Sequence, residues 1–311
     1  MKFYTKFLNK CYILYIINQG TKKNAPKIKN MEVLFKNSDS QKNLTIYSEL
    51  YSKCFKDDKF KLNYLDWLYN KNPDGGFVGI DCFDNKNLIG QAGGIPHEFI
   101  FNQKKVRFLI SVNVCVNPQY QGRWIFSKML IRLEQLAKKL QFDGIIGIAN
   151  KFAYPFWLRS IKMKKLKALD VYVGFEKLNL KNITRTNYDF YTFWTKKKLE
   201  WRIKNPLNNT FIKSNNDEYS IYSKTKFMFV NAYSPLIFFD KEIKLYLNNK
   251  KQYKPIVYLG LISKIKKPKL LFHLPESLKP SPLHFIYKFF KSDENLKSKK
   301  MIFTFLEFDV F

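Results

Sequence analysis

The run Gln121-Gly122-Arg123-Trp124-Ile125-Phe126 follows an apolar stretch, Val106–Val116. It leads into residues in which Ile125, Met129, Leu130, Leu133, Leu136, Ala137 and Leu140 recur at three- and four-residue steps. That pattern predicts a loop opening an amphipathic helix. The first turn of a helix presents backbone N–H groups that no helical carbonyl can take, at the positive end of the helix dipole. Such a loop suits an anion, above all a phosphate. Glycine, which allows close approach and unusual backbone angles, is common in loops of this kind; here Trp124 and Phe126 stand where it would be expected. The loop can still hold a phosphate if both side chains turn away from it, and Phe126 falls on the apolar face with Met129, Leu130 and Leu133. The four cysteines, Cys11, Cys54, Cys82 and Cys115, form no Cys-x-x-Cys pair, and there are three histidines. This argues against a metal site and for a reduced, cytoplasmic chain.

The elements that must position this loop are set within 311 residues, 46% of them hydrophobic and 17% aromatic, enough for one large domain or two. No stretch approaches the roughly 20 apolar residues of a membrane helix. The net charge of +30 suggests an anionic partner: nucleic acid, a membrane surface or a phosphate-bearing substrate. The lysines are spread along the chain, and asparagine, isoleucine and phenylalanine are abundant too, so compositional drift accounts for much of the charge. A nucleic-acid partner stays open without being favoured. Residues 1–30 carry a basic start and a short apolar run, Cys11–Ile17, with no small-residue cleavage site after it. They read as a disordered leader or an over-extended start before Met31.

From Met31 onward the pattern predicts a strand at Val33–Phe35 and helices at Gln41–Phe55 and Tyr64–Tyr69, the second stopped by Asn72-Pro73. Strands follow at Phe77–Phe83, Leu88–Gly94, Glu98–Phe101 and Val106–Val116. After the loop and its helix come a short buried strand, Gly144–Ala149, a helix at Phe152–Ile161 and a strand at Ala168–Phe175. An antiparallel meander followed by a strand–helix–strand crossover makes an α/β layer domain. A second block then begins. Lys197–Asn209 repeats the Leu-acidic-Trp step and the following Asn-Pro of Asn63–Gly75, which suggests an internal repeat, although nothing in it matches the Gln121–Phe126 loop.

These residues resemble the GNAT superfamily of acyl-CoA-dependent N-acyltransferases, whose signature is Gln/Arg-x-x-Gly-x-Gly/Ala after a strand and at the start of a helix. Gln121–Phe126 occupies the signature. Gly147-Ile148-Ala149-Asn150 and Ala153–Arg159 match the later strand and helix, and Lys162 replaces the glycine that follows them. The resemblance implies a mixed, mostly antiparallel central sheet flanked by helices in residues 31–183. Residues 184–311 would be a second, degenerate GNAT-like half that shapes the acceptor site. It implies acetyl-CoA or another acyl-CoA as cofactor, with Gln121, Gly122, Arg123, Trp124, Ile125, Phe126 and Ser127 at its pyrophosphate. Cys115 and Val116 would lie along the pantetheine arm, and Asn150 near the thiol end.

In this superfamily an amine attacks the thioester directly, so a base must take a proton and an acid must supply one to the departing thiolate. Tyr154 is the candidate acid. Glu98, beside His97 on the strand next to the cofactor strand, is the candidate base; Asn113 sits on the cofactor strand itself. The two-block form is similar to bacterial acyltransferases of surface-polysaccharide or amino-sugar pathways, which implies a small amine acceptor such as a nucleotide-linked amino sugar. It is more distantly similar to peptidyl transferases that use aminoacyl-tRNA. A basic module that binds without catalysis is the remaining alternative.

Overall fold

The computed structural model describes residues 33–180, 183–215, 218–225, 229–240, 255–265, 268–275 and 282–308; the expected leader, 1–30, lies outside them. The chain begins with β1 (Val33–Asn37), α1 (Leu44–Phe55) and α2 (Leu62–Asn70). Next come β2 (Val78–Asp84), β3 (Asn87–Phe101), β4 (Lys104–Val116), α3 (Ile125–Lys139), β5 (Gly144–Ala149) and α4 (Tyr154–Ile161). After β6 (Lys164–Ala168), β7 (Asp170–Gly174) and β8 (Phe190–Tyr191), α5 (Lys196–Ile203) opens the second block. Its strands are β9 (Phe211–Asn215), β10 (Glu218–Lys224), β11 (Asn231–Leu236), β12 (Ile256–Ile262), β13 (Leu271–His273), β14 (His284–Phe289) and β15 (Ile302–Thr304).

Two sheets result, and their orders correspond. The first runs β1-β2-β3-β4-β5-β14-β6, the second β9-β10-β11-β12-β7-β13. Each has one parallel pair at its middle, β4–β5 and β11–β12. In each, the next strand comes from the other half of the chain. β14 lies antiparallel between β5 and β6, and β7 lies antiparallel between β12 and β13. The two halves therefore exchange a strand, and the expected boundary at residues 183 and 184 does not separate the sheets. One hydrophobic cluster runs through both, from Tyr47, Leu65 and Phe99 to Ile221, Leu259 and Phe303.

The repeat seen in the sequence sits at the join. The indoles of Trp67 on α2 and Trp201 on α5 stack with centroids 5.0 Å apart and planes 21° apart. Trp67 Nε1 donates to the carbonyl of Trp201 at 2.8 Å, and Trp201 Nε1 donates to that of Trp67 at 2.9 Å. Beyond each helix, Asn72 and Asn205 accept the backbone N–H two residues on, from Asp74 and Leu207. Such turns end a helix and aim the next strand.

Two sequence expectations shift in detail. Leu88–Gly94 and Glu98–Phe101 are one continuous strand, because Gly93 to Pro96 keep their ladder to β4. β6 was not legible; Lys164–Ala168 is lysine-rich and half exposed at the sheet margin. The faces otherwise follow the pattern. α3 turns Ile125, Met129, Leu130, Leu133 and Ala137 onto the first sheet. α1 and α2 cover the opposite face with Tyr47, Tyr51, Leu65 and Leu68.

Candidate active site

β4 and β5 pair only from Phe108 opposite Gly144 to Ile110 opposite Ile146. Beyond that they part. Ser111–Val116 on one strand and Gly147–Asn150 on the other then line a cavity of about 420 Å³. A bulge in β4 helps to open it. The ladder to β3 steps from Gln91–Cys115 to Gly93–Val112, which leaves one extra residue in β4, and Asn113 takes φ +52°. Asparagine tolerates that left-handed conformation better than most residues.

The cavity passes through the sheet. On the α3 side it is walled by Tyr120–Ser127 and by Ala153, Phe156 and Trp157; on the α1–α2 side by Phe55, Lys59, Phe60, Tyr64 and Leu68, with Phe308. No Asp, Glu or His is among the described lining residues.

All ten residues expected at the cofactor — Cys115, Val116, Gln121 to Ser127 and Asn150 — are brought together in this lining. Gln121 Nε2 donates to the carbonyl of Val116 at 3.2 Å and so ties the loop to the end of β4. Gly122 has φ +80° with nothing within 4 Å of an added Cβ. Trp124 has φ +60° and is 74% exposed. The loop thus keeps a glycine-like conformation at a residue that is not glycine, as does Lys162 at φ +54° after α4. Phe126 turns away onto Phe156 and Trp157, at 5.7 and 6.4 Å between ring centroids. Trp124 does not turn into the core; it stands in solvent at the cavity mouth. Arg123 lies 5.7 Å over the ring of Tyr120.

Asn150 accepts the N–H groups of Phe152 and Ala153 at 2.9 and 2.7 Å. Its side-chain oxygen is therefore committed to starting α4. Cys115 is buried, and burial followed by a hydrogen bond with Cys54 pushes its thiol well above the usual range. A thiol held neutral in this way is inert as a nucleophile.

The two expected proton-transfer residues are not in the lining. Tyr154 leans towards β14: its ring meets His284 at 4.4 Å and carries the Lys165 ammonium at 4.7 Å. Its helix turns Ala153, Phe156 and Trp157 to the cavity instead. Glu98 is half exposed and pairs with Lys105 at 3.1 Å. Its neighbour His97 is buried, with Nε2 3.0 Å from Thr192 Oγ1; burial, then Lys198 and Arg202, push its imidazole well below the usual range.

Sequence reasoning missed a polar chain behind Asn113. Asn113 Nδ2 donates to Tyr69 Oη at 3.0 Å, and Tyr69 Oη lies 2.6 Å from Tyr51 Oη. Tyr51 in turn donates to Gln91 Oε1. Gln91 Nε2 donates to Asp81 Oδ1 at 2.7 Å, and Asp81 also accepts from Ser38 at 2.6 Å and Tyr47 at 2.8 Å. Tyr51, Tyr69, Gln91 and Asp81 are all buried, and burial raises the Asp81 carboxyl and the Tyr51 and Tyr69 phenols. The available signal was an Asp and a Gln placed within otherwise apolar strands, which need partners once buried.

Residues 40–155 match the model of the acetyltransferase (GNAT) domain. No curated protein matches the chain by sequence. Among solved structures, a protein of Enterococcus faecalis described as a probable N-acyltransferase aligns over 84% of this chain and 73% of its own, at 12% identity and a TM-score of 0.54. A GCN5-related N-acetyltransferase from Kribbella flavida aligns over 83% and 71%, at 9% identity and 0.54. Another from Anabaena variabilis aligns over 82% and 73%, at 10% identity and 0.54. The match to the GNAT model is thus confined to residues 40–155, and the chain shares its overall fold with these N-acyltransferase structures.

Proposed function

We propose that the chain is an acyl-CoA-dependent N-acyltransferase, with acetyl-CoA as donor and a small amine as acceptor. The observation that carries this reading is the parting of β4 and β5 beside a helix-opening loop, within a domain matched by the GNAT acetyltransferase model. The pyrophosphate would lie at the N-terminus of α3, held by backbone N–H groups from Gln121 to Ser127. The pantetheine would run between β4 and β5 along Cys115 and Val116, carrying the thioester to the bulge at Asn113. The amine would approach from the α1–α2 side. The described lining residues include no carboxylate or imidazole, which favours water as the carrier of the proton released from the amine and as the proton source for the thiolate. Tyr154 and Glu98 would then act in packing and at the surface.

A nucleotide-linked amino sugar, the acceptor suggested by the two-block resemblance, fits the acceptor side less well, because most of that wall is aromatic or aliphatic. Transfer from aminoacyl-tRNA remains a second reading, favoured by the net charge of +30.

Titration with acetyl-CoA tests the leading reading. At a hundredfold excess over the dissociation constant the chain should gain about 2.7 kcal/mol, seen as a rise in melting temperature. Gly122→Pro cannot reach φ +80° and should abolish that rise. A wild-type chain with no shift, or a Gly122→Pro chain with a normal one, removes the assignment. Tight tRNA binding that persists at about 200 mM salt would promote the second reading.

A further inference from the structure

The chain from Asn113 to Asp81 runs in one direction. Asp81 accepts from Ser38, Tyr47 and Gln91 Nε2, so Gln91 turns its Nε2 to Asp81 and its Oε1 to Tyr51. The Tyr51 hydroxyl proton is then committed to Gln91. The 2.6 Å contact between the two phenols therefore has Tyr69 as donor. The lone pairs of Tyr69 Oη remain, and they take the Nδ2 of Asn113 at 3.0 Å. Each link fixes the next, and the last one fixes which way round the Asn113 amide stands. Ser38 and Tyr47 hold the far end by donating to the same carboxylate. With Nδ2 tied to Tyr69, Oδ1 is the end of the Asn113 amide left to a ligand.

The position of that oxygen gives it a use. Val114 and Val116 pack with the α3-side cluster, whereas Cys115 and Val112 pack with the α1–α2 side. The bulge puts Asn113 on the α1–α2 side as well, reaching Tyr69 of α2. Asn113 is thus a lining residue on the side away from the loop, facing the region bounded by Phe55, Lys59, Phe60, Tyr64, Leu68 and Phe308.

Resting on the acetyl-transfer reading, we infer that Asn113 Oδ1 accepts an N–H of the acceptor amine, and that the acceptor is an amine on an aromatic or apolar body. Tyr69 is a positioning residue that acts through Asn113. In the step itself the nitrogen lone pair forms the N–C bond to the thioester carbonyl carbon. The C–S bond breaks with its electron pair on sulfur, the nitrogen loses one proton to water, and the thiolate gains one from water. The amide oxygen takes no proton. It holds one N–H, so that the lone pair points at the carbonyl carbon, and it faces the positive charge that develops on nitrogen. The wall accounts for the class of acceptor. Among the described residues it offers aromatic and aliphatic surface, one cation in Lys59, and no carboxylate for a second ammonium group, which disfavours polyamines.

The test follows thiol release from acetyl-CoA with 2-phenylethylamine as the probe amine, beside glucosamine and spermidine, using the full chain. The wild type should acetylate 2-phenylethylamine with saturation and in preference to the other two. Asn113→Gly, which keeps the left-handed backbone, should lower kcat/KM for the amine about tenfold to a hundredfold while acetyl-CoA affinity stays unchanged. Tyr69→Phe frees the amide to turn and should lower it about tenfold. The double variant should be no worse than Asn113→Gly alone, because Tyr69 acts only through Asn113. Multiplying losses in the double variant, or normal kcat/KM in Asn113→Gly, would overturn the inference. So would a wild type that binds acetyl-CoA but prefers spermidine or glucosamine, or that leaves 2-phenylethylamine untouched. A wild type that fails to bind acetyl-CoA at all removes the acetyl-transfer reading, and this inference with it.

Discussion

The two parallel pairs, β4–β5 and β11–β12, part at equivalent places and are filled differently. In the first sheet the gap beyond Ile110 and Ile146 is the cavity. In the second, β11 and β12 stay paired to Tyr233 and Tyr258, and β15 then takes over the edge of β12 from Gly260 to Ile262. Gly260 stands opposite Asp170 of β7 on one edge, so Thr304 of β15 must occupy the edge on which β11 has parted. The chain's own strand thus fills in one half the gap that a ligand would enter in the other. The plug ends in Glu307, buried, with its Oε2 accepting from the N–H and Oγ1 of Thr304 at 2.7 and 2.9 Å. Phe308, the next residue, reaches the wall of the open cavity. Two sheets of corresponding strand order thus differ at the same place: one is closed by its own chain and the other is open, with Phe308 after the plug lining the opening.

The strongest way to break this comparison is to separate the halves. Fragment 31–183 lacks β14, so β5 would keep a bare edge, β6 would have no partner and β7 would have lost its sheet. It should be insoluble or fail to melt cooperatively, measured by soluble fraction and calorimetry. A soluble monomeric fragment with a sharp transition would show that the halves are independent.

The plug can be tested through pH. Burial raises the Glu307 carboxyl from an ordinary 4.5 to about 7. Between those values the folded chain binds more protons than the unfolded one. Its contribution is therefore full below about pH 4.5 and is lost as pH rises through about 7. Glu307→Gln keeps the acceptor oxygen and cannot ionise. From about pH 5 to about pH 8 the wild type should lose stability relative to Glu307→Gln by an amount on the order of 3 kcal/mol, read from denaturant midpoints. Parallel pH profiles would mean that the carboxyl is hydrated and the plug is loose.

The smallest effect sharpens the open side. Trp124 carries φ +60° with its indole largely in solvent. A left-handed conformation costs a side-chain residue about 1–2 kcal/mol. Glycine returns roughly 0.5–1 kcal/mol of that through its freer unfolded chain. Trp124→Gly should therefore stabilise the chain by roughly 0.5–1 kcal/mol in thermal or denaturant unfolding. A loss instead would show that the exposed indole is held by contacts worth more than the strain.

The sequence carried the open half better than the filled one. Periodicity revealed α3, and the loop before it could be placed because an amphipathic helix after an apolar strand has few alternatives. The Leu-acidic-Trp echo pointed to α2 and α5, since both indoles answer the same packing demand. Strand exchange left no local trace. Ala168–Phe175 reads as an ordinary strand, His284–Phe289 was not picked out at all, and only long-range pairing tells which sheet each joins. Tyr154 and Glu98 lie outside the cavity lining for a related reason. Sequence position placed both near the cavity, but one residue of helical rotation carried Tyr154 to His284, and strand alternation carried Glu98 to Lys105. The chain behind Asn113 was hidden because it joins four separate elements: α1, α2, β2 and β3.

The exchange of β7 and β14 also sets an order of events during synthesis. By the time α4 and β6 have left the ribosome, the loop, its helix and both strands of the split have been made, yet the strand that seals β5 lies more than a hundred residues downstream. The nascent first half must wait with an unpaired edge while the second half is translated. Its unpaired backbone is open throughout to the wrong partner, including the same edge on a neighbouring chain. Slow translation of residues 184–289 would lengthen that exposure, so yield in the cell would depend on elongation speed as well as on the stability of the finished molecule.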